Sequence, residues 1–200
     1  MIPIVKIPKQ ASKEIVAFLS KLAGPAATEV GLLLQDEVRL WRLKNQVRIL
    51  GKAQQILNEA GLQPSAVPLR TLLPLLEGAA LEDDPILIDK WACLLANAGS
   101  QSIIISAHPA FPRILSEITP EEAFFLDRLS QLGGLSVWDD FRKIIQEHLK
   151  ISREQVDRDY GNLSRLGVCR IVKKNKGDKG MVEIGPFGLL FLKACSPPAL

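Results

Sequence analysis

The chain has 200 residues, nearly half of them apolar, enough to bury roughly 70% of its unfolded surface in one large or two small domains without metals or disulfides. Its formal charge of +3 is too small to mark the whole chain as a nucleic-acid binder. Three scattered cysteines, Cys93, Cys169 and Cys195, point to a reducing compartment, and two histidines, His108 and His148, are too few for an ordinary Cys/His zinc site.

Residues Met1 to Gln10 form an arm with prolines and two lysines but no apolar run of signal-peptide length, so the cytoplasm is expected. Ser12 caps a predicted helix from Lys13 to Ala23, closed by Gly24-Pro25. Ile15 to Leu34 could span a bilayer by length, but Lys21, the Gly24-Pro25 break and Glu29 interrupt it. Each central charge costs about 2.5 to 3.5 kcal/mol on insertion scales, so no stable membrane insertion is expected.

A long helix follows from about Ala26 to Ala60, with Gly61 in the place of a C-cap glycine. At 100 degrees per residue, Leu33, Leu40, Leu43, Val47 and Leu50 share one side, and Leu34, Val38, Trp41, Ile49 and Ile56 nearly the opposite one. Two apolar seams call for two sets of neighbours. Either the helix is sandwiched in its own bundle, or one seam meets a second copy, giving a homo-oligomer, a dimer in the simplest case, through the 26–60 helix.

Leu69 to Leu76 and Pro85 to Ala98 read as further helices, the second started by Asp84-Pro85 and stopped by Gly99. Ile88, Trp91, Ala92 and Leu95 recur at helical spacing and predict its inward face. Ile103 to Ile105 is too short to classify, and His108-Pro109 opens a small helix ending near Ile118. From Thr119 the character changes. Thr119-Pro120-Glu121-Glu122 combines a cap, a proline at the first helical position and a capping-box glutamate, opening a helix through Leu132 that Gly133-Gly134 ends. A strand from Leu135 to Trp138, helices from Asp139 to Leu149 and Ser152 to Leu166, a hairpin of Val168 to Lys173 and Met181 to Ile184, and a helix from Pro186 to Cys195 complete the series. Helix, strand, helix, helix, hairpin is the order of a winged helix.

Several runs in this chain are similar to a known family. Pro74-Leu75-Leu76-Glu77, Ala80-Leu81-Glu82-Asp83-Asp84, Trp91-Ala92 and Leu94-Leu95-Ala96-Asn97-Ala98 resemble the hallmark run of the bacterial abortive-infection alpha family. Leu22-Ala23-Gly24-Pro25-Ala26-Ala27, Trp41-Arg42-Leu43-Lys44-Asn45-Gln46 and His108-Pro109-Ala110-Phe111 extend the resemblance from about residue 12 to residue 195. It departs at Gly185-Pro186-Phe187-Gly188, where the family more often has a threonine in the Gly185 place, which weakens that helix cap. The resemblance implies a role in bacterial defence against phage. It implies no catalytic chemistry, and no active-site residues carry over.

The candidate sites divide sharply in strength. Glu82, Asp83 and Asp84 could hold magnesium, but no phosphate-binding glycines or distant carboxylate accompany them and capping accounts for them better. His108 could be a general base, yet no nucleophile stands beside it in the sequence. His148 lies near a helix end and is expected to interact with its dipole. On the Ser152 to Leu166 helix, Val156, Tyr160 and Leu163 are expected to face the core, leaving Glu154, Arg158, Gly161 and Arg165 outward. Arg170, Lys173, Lys174, Lys176 and Lys179 cluster in or beside the wing, with Asp178 the one acid between Arg170 and Gly180. That excess suits phosphate contacts. Against it, Glu154 and Asp157 would repel phosphates from the same helix, and winged helices also dock proteins.

The expected architecture is mainly α: an arm (1–11), a helical bundle (12–118), a winged-helix-like α+β module (119–195) and a tail (196–200). The expected function is a non-enzymatic phage-defence protein without cofactor or metal. It engages nucleic acid or a phage or host protein through Arg158, Arg165, Arg170, Lys173, Lys174, Lys176 and Lys179. Two alternatives stay open: a DNA-binding transcription regulator that dimerises through its helical part, and a membrane-perturbing effector using Ile15 to Leu34.

Overall fold

Helix α1, Val38–Glu59, ends as a glycine-capped helix should. Gly61 takes φ +65°, Leu62 N–H donates to the Leu57 carbonyl at 2.9 Å and Gly61 N–H to that of Asn58 at 3.1 Å, the paired bonds of a Schellman motif. The computed structural model describes residues 17, 18, 21, 38–100, 108–173 and 179–198. The expected Lys13–Ala23 helix, for which 17, 18 and 21 are helical, otherwise lies outside them, as do 26–37 of the long helix, Ile103 to Ile105, Lys174 and Lys176. The described chain is mainly helical, with one small antiparallel sheet, and divides into two compact units: Met1–Arg113 with Cys195–Leu200, and Ile114–Ala194.

In the first unit, α1 packs against α2, Leu69–Ala80, and most extensively against α3, Pro85–Gly99. Both apolar stripes of α1 contribute to that packing: Ile49 and Leu50 are buried, Val47 and Ile56 half-buried, and Ala53 and Leu57 extend one broad inward arc. Asn45 Nδ2 donates to the Ala80 carbonyl at 3.3 Å and Gln46 Nε2 to that of Leu76 at 2.9 Å, so polar side chains tie α1 to the end of α2. Helix α2 runs on through Pro74 to Ala80, beyond the expected end at Leu76. Its buried positions Thr71, Leu72, Leu75, Leu76, Ala79 and Ala80 keep one face on the core, and that packing outweighs the lost hydrogen bond.

Helix α3 starts where its cap residues dictate: Asp84 Oδ1 accepts from Ile86 N–H at 2.8 Å and Leu87 N–H at 3.2 Å, with Pro85 at the first position. Ile88, Trp91, Ala92 and Leu95 are buried as expected. Leu87, Cys93, Leu94, Ala96 and Asn97 are buried too, so α3 is enclosed on nearly every side. Gly99 is its last turn rather than its stop, its carbonyl accepting from Ser65 N–H and Oγ.

The second unit opens within α4, Phe111–Glu117, and continues through α5, Pro120–Gln131, whose capping box joins Thr119 and Glu122 reciprocally. Gly133 and Gly134, at φ +84° and +78°, turn the chain into β1, Leu135–Val137. Trp138 opens α6, Trp138–Leu149, instead of ending the strand, while its N–H still donates to the Gly180 carbonyl. Helix α7, Arg153–Arg165, has a Ser152–Gln155 capping box and a Schellman end at Gly167. Strands β2, Cys169–Val172, and β3, Met181–Ile184, pair antiparallel from Cys169↔Ile184 to Val172↔Met181, and β1 joins the far edge of β3, giving the order β1-β3-β2. Helix α8, Pro186–Ala194, follows. Phe125 and Phe141 meet edge to face at 4.8 Å in the core of this unit, and Trp138 and Tyr160 at 4.8 Å beside it.

Candidate functional site

The exposed face of α7 and the β2–β3 hairpin are held together by a small number of defined contacts. Tyr160, half-buried on α7, accepts a hydrogen bond at its hydroxyl from the Ile171 N–H of β2 at 3.1 Å. Val156 and Leu163 are buried as expected, which leaves Glu154, Arg158, Gly161 and Arg165 exposed. Asp159, which was not among the residues expected to face the core, is buried with them. Its position, three residues past Val156 and four before Leu163, already placed it on the inward face.

Each expected arginine has an acidic partner. Arg158 Nε and Nη2 both donate to Asp159 Oδ1, at 3.0 and 2.8 Å. The Asp159 side chain is only 3% exposed, so Arg158 compensates a buried carboxylate, and that pairing raises the Arg158 pKa further. Arg165 Nη2 reaches Glu117 Oε2 at 2.7 Å, and Arg165 Nε and Nη2 also donate to Asn162 Oδ1. Arg170 Nε meets Glu183 Oε1 at 2.6 Å across the β2–β3 pair. Lys173 and Lys179 are exposed at the end of the hairpin, Lys173 facing Gly180. Helix α7 as a whole has three arginines against Glu154, Asp157 and Asp159, and so no net charge.

Beneath this face lies a polar network. Asn162 Nδ2 donates to both Glu122 carboxylate oxygens and to the Glu117 carbonyl, each at 3.0 Å, linking α4, α5 and α7. Burial raises the Glu122 pKa from 4.5, outweighing the Thr119 and Asn162 hydrogen bonds that lower it. A carboxyl whose folded pKa lies above its unfolded value binds protons more tightly when folded, so its stabilising contribution is complete below 4.5 and lost as pH rises through the folded value. Wild type therefore gains stability on acidification relative to Glu122→Gln. Urea unfolding of both across a pH series checks this, and parallel profiles would refute it.

Two further groups make contacts that the sequence did not signal. Arg142 is buried under α7, its Nη1 3.3 Å from Asp139 Oδ1 and its Nε 2.9 Å from Asp157 Oδ1, close enough for an ion pair but without hydrogen-bond alignment. Its guanidinium carbon stands 4.8 Å from the Trp138 ring centroid. Asp157 is thus occupied by Arg142 and, at 3.8 Å, by Arg153. His148 stacks on Phe124 at 4.3 Å, a contact that its position near a helix end did not signal.

Elsewhere, Asp84 is the α3 cap, and Glu82 Oε1 accepts from Asp83 and Asp84 N–H. His108 Nδ1 accepts from Ala110 N–H at 3.2 Å, a local turn bond. Burial pushes the Cys93 thiol up to about 11 and the Cys169 thiol up to about 12, so both are protonated at neutral pH. Among the described residues no group of three or more His, Cys, Asp or Glu stands together in a metal-holding arrangement, and no helix is long and apolar enough to cross a membrane.

No curated protein and no solved structure matches the chain. The family model described as abortive infection alpha matches residues 44–195, well over half of the 200 residues and nearly all the elements above, and the chain belongs to that family.

Proposed function

We propose that this protein is a non-enzymatic component of abortive-infection defence whose second unit is a winged-helix module that docks on nucleic acid, with the β2–β3 hairpin as its wing. Membership of the abortive infection alpha family supports the defence role. The order helix, strand, two helices, hairpin, helix, with β1 on the edge of the hairpin, supports the winged-helix reading. The observation that carries the proposal is the hairpin itself: exposed Lys173 and Lys179 flank a connection whose sequence adds Lys174 and Lys176, with Arg170 on the adjoining strand. Such a cluster neutralises phosphates whatever the bases.

Anisotropy titration of labelled duplex DNA across a salt series tests the reading. The wild-type chain binds with affinity that falls as salt rises. Changing Lys173, Lys174, Lys176 and Lys179 to Gln flattens the slope of log K against log salt by about 0.9 for each phosphate no longer neutralised. Equal traces for the two proteins would refute it.

A further inference from the structure

The three described arginines expected to touch nucleic acid are all engaged by carboxylates, and the engagements are of two kinds. Arg158 neutralises Asp159, whose side chain is 3% exposed, and moving it would strand a buried charge. Arg165 and Arg170 sit differently. Their side chains are 57% and 63% exposed, and their partners Glu117 and Glu183 are 28% and 25% exposed. Ion pairs this open to water contribute 0 to about 1 kcal/mol, so they hold a side chain in place without being needed for the fold.

Both pairs flank the same turn. Arg165 is the last residue of α7 and Arg170 the second of β2, with Gly167 at φ +73° between them. Each acid comes from another element, Glu117 from α4 and Glu183 from β3. The charges of α7 sum to zero with Arg165 counted as positive, so once Glu117 offsets Arg165 the helix offers phosphate no net attraction.

We propose that Glu117 and Glu183 are electrostatic clamps that keep Arg165 and Arg170 out of a polyanion-binding surface, leaving the hairpin lysines to set a weak affinity indifferent to base sequence. Arg158 is a structural counter-charge and no part of that surface. A phosphate that displaces a glutamate gains a guanidinium able to grip it with two parallel hydrogen bonds. The inference rests on the nucleic-acid reading above and adds to it which cations are held in reserve and by what.

The test uses the full-length chain, Glu117→Gln, Glu183→Gln and the double variant, with two labelled duplexes of unrelated sequence in a salt series. Circular dichroism and thermal unfolding establish that each variant is folded. The expected result is tighter binding by each variant, equally on both duplexes, with the slope steepened by about 0.9 per arginine released. Unchanged affinity and slope in folded variants, beside measurable wild-type binding, would overturn the clamps and leave the nucleic-acid reading standing. Tightening on one duplex alone would overturn the sequence-indifferent surface. No binding by any of the four proteins would overturn both.

Discussion

Gly188→Ala is expected to destabilise the second unit by about 3 kcal/mol, the upper part of the range for overpacked interiors. A Cβ at Gly188, on α8, would overlap the Val168 carbonyl oxygen and crowd the Val168 carbonyl carbon and the Ile184 side chain. The obstruction is backbone, and that same carbonyl accepts from Gly185 N–H at 3.1 Å. It cannot rotate aside as a flexible side chain would, so α8 must lift from the sheet or the Gly185 bond must stretch. Gly161 is the matched control. It lies on the exposed face of α7 with nothing within 4 Å of a Cβ, and Gly161→Ala should stabilise by up to about 1 kcal/mol through helix propensity alone. Urea denaturation of the two variants reads both signs. A Gly188→Ala protein as stable as wild type would mean that α8 does not approach the Val168 carbonyl so closely.

The second large effect belongs to the first unit. A Cβ at Gly78 of α2 would run into the six-membered ring of the Trp91 indole, and Trp91, fully buried on α3, has no room to retreat. Gly78→Ala is therefore expected to cost about 1 to 3 kcal/mol even after the helix-propensity gain of the alanine. Trp91→Phe removes the outer ring atoms. Because the indole N–H has no hydrogen-bond partner among the described residues, that change opens a cavity without breaking a bond. In the double variant the methyl added at position 78 enters the vacated space. The two changes should then cost less together than the sum of the singles, with a coupling of about 1 to 3 kcal/mol. Additive costs in denaturant unfolding would show that the ring does not lie on Gly78.

Most helix boundaries were legible because their signals are local. Asp84-Pro85, Thr119 with Glu122, Ser152, Gly61 and Gly167 act on backbone groups within a few residues of themselves, and all five do in the structure what their chemistry implies. The misplaced boundaries have tertiary causes. Helix α2 continues past Leu76 to Ala80 because Ala79 and Ala80 in its last turn are buried, and Trp138 leaves the strand for α6 while its ring packs near Phe125 and Tyr160. The candidate surface was legible in part. The exposure of Arg158, Arg165, Arg170, Lys173 and Lys179 followed from periodicity and the hairpin, whereas the neutralisation of the arginines did not.

The sequence by itself determined which segments coil, where most of them start and stop, and that basic residues gather around one hairpin, because caps, turns and helical period work over short separations. Only the tertiary structure decided what those residues face. Glu117 meets Arg165 across 48 positions and Glu122 meets Asn162 across 40, and Asp159 is buried by helices brought together in space. Arg158 finds its carboxylate in the next residue, but a partner on another element, as Glu117 is for Arg165, is chosen by how distant helices and strands pack, and local patterning holds no record of that choice.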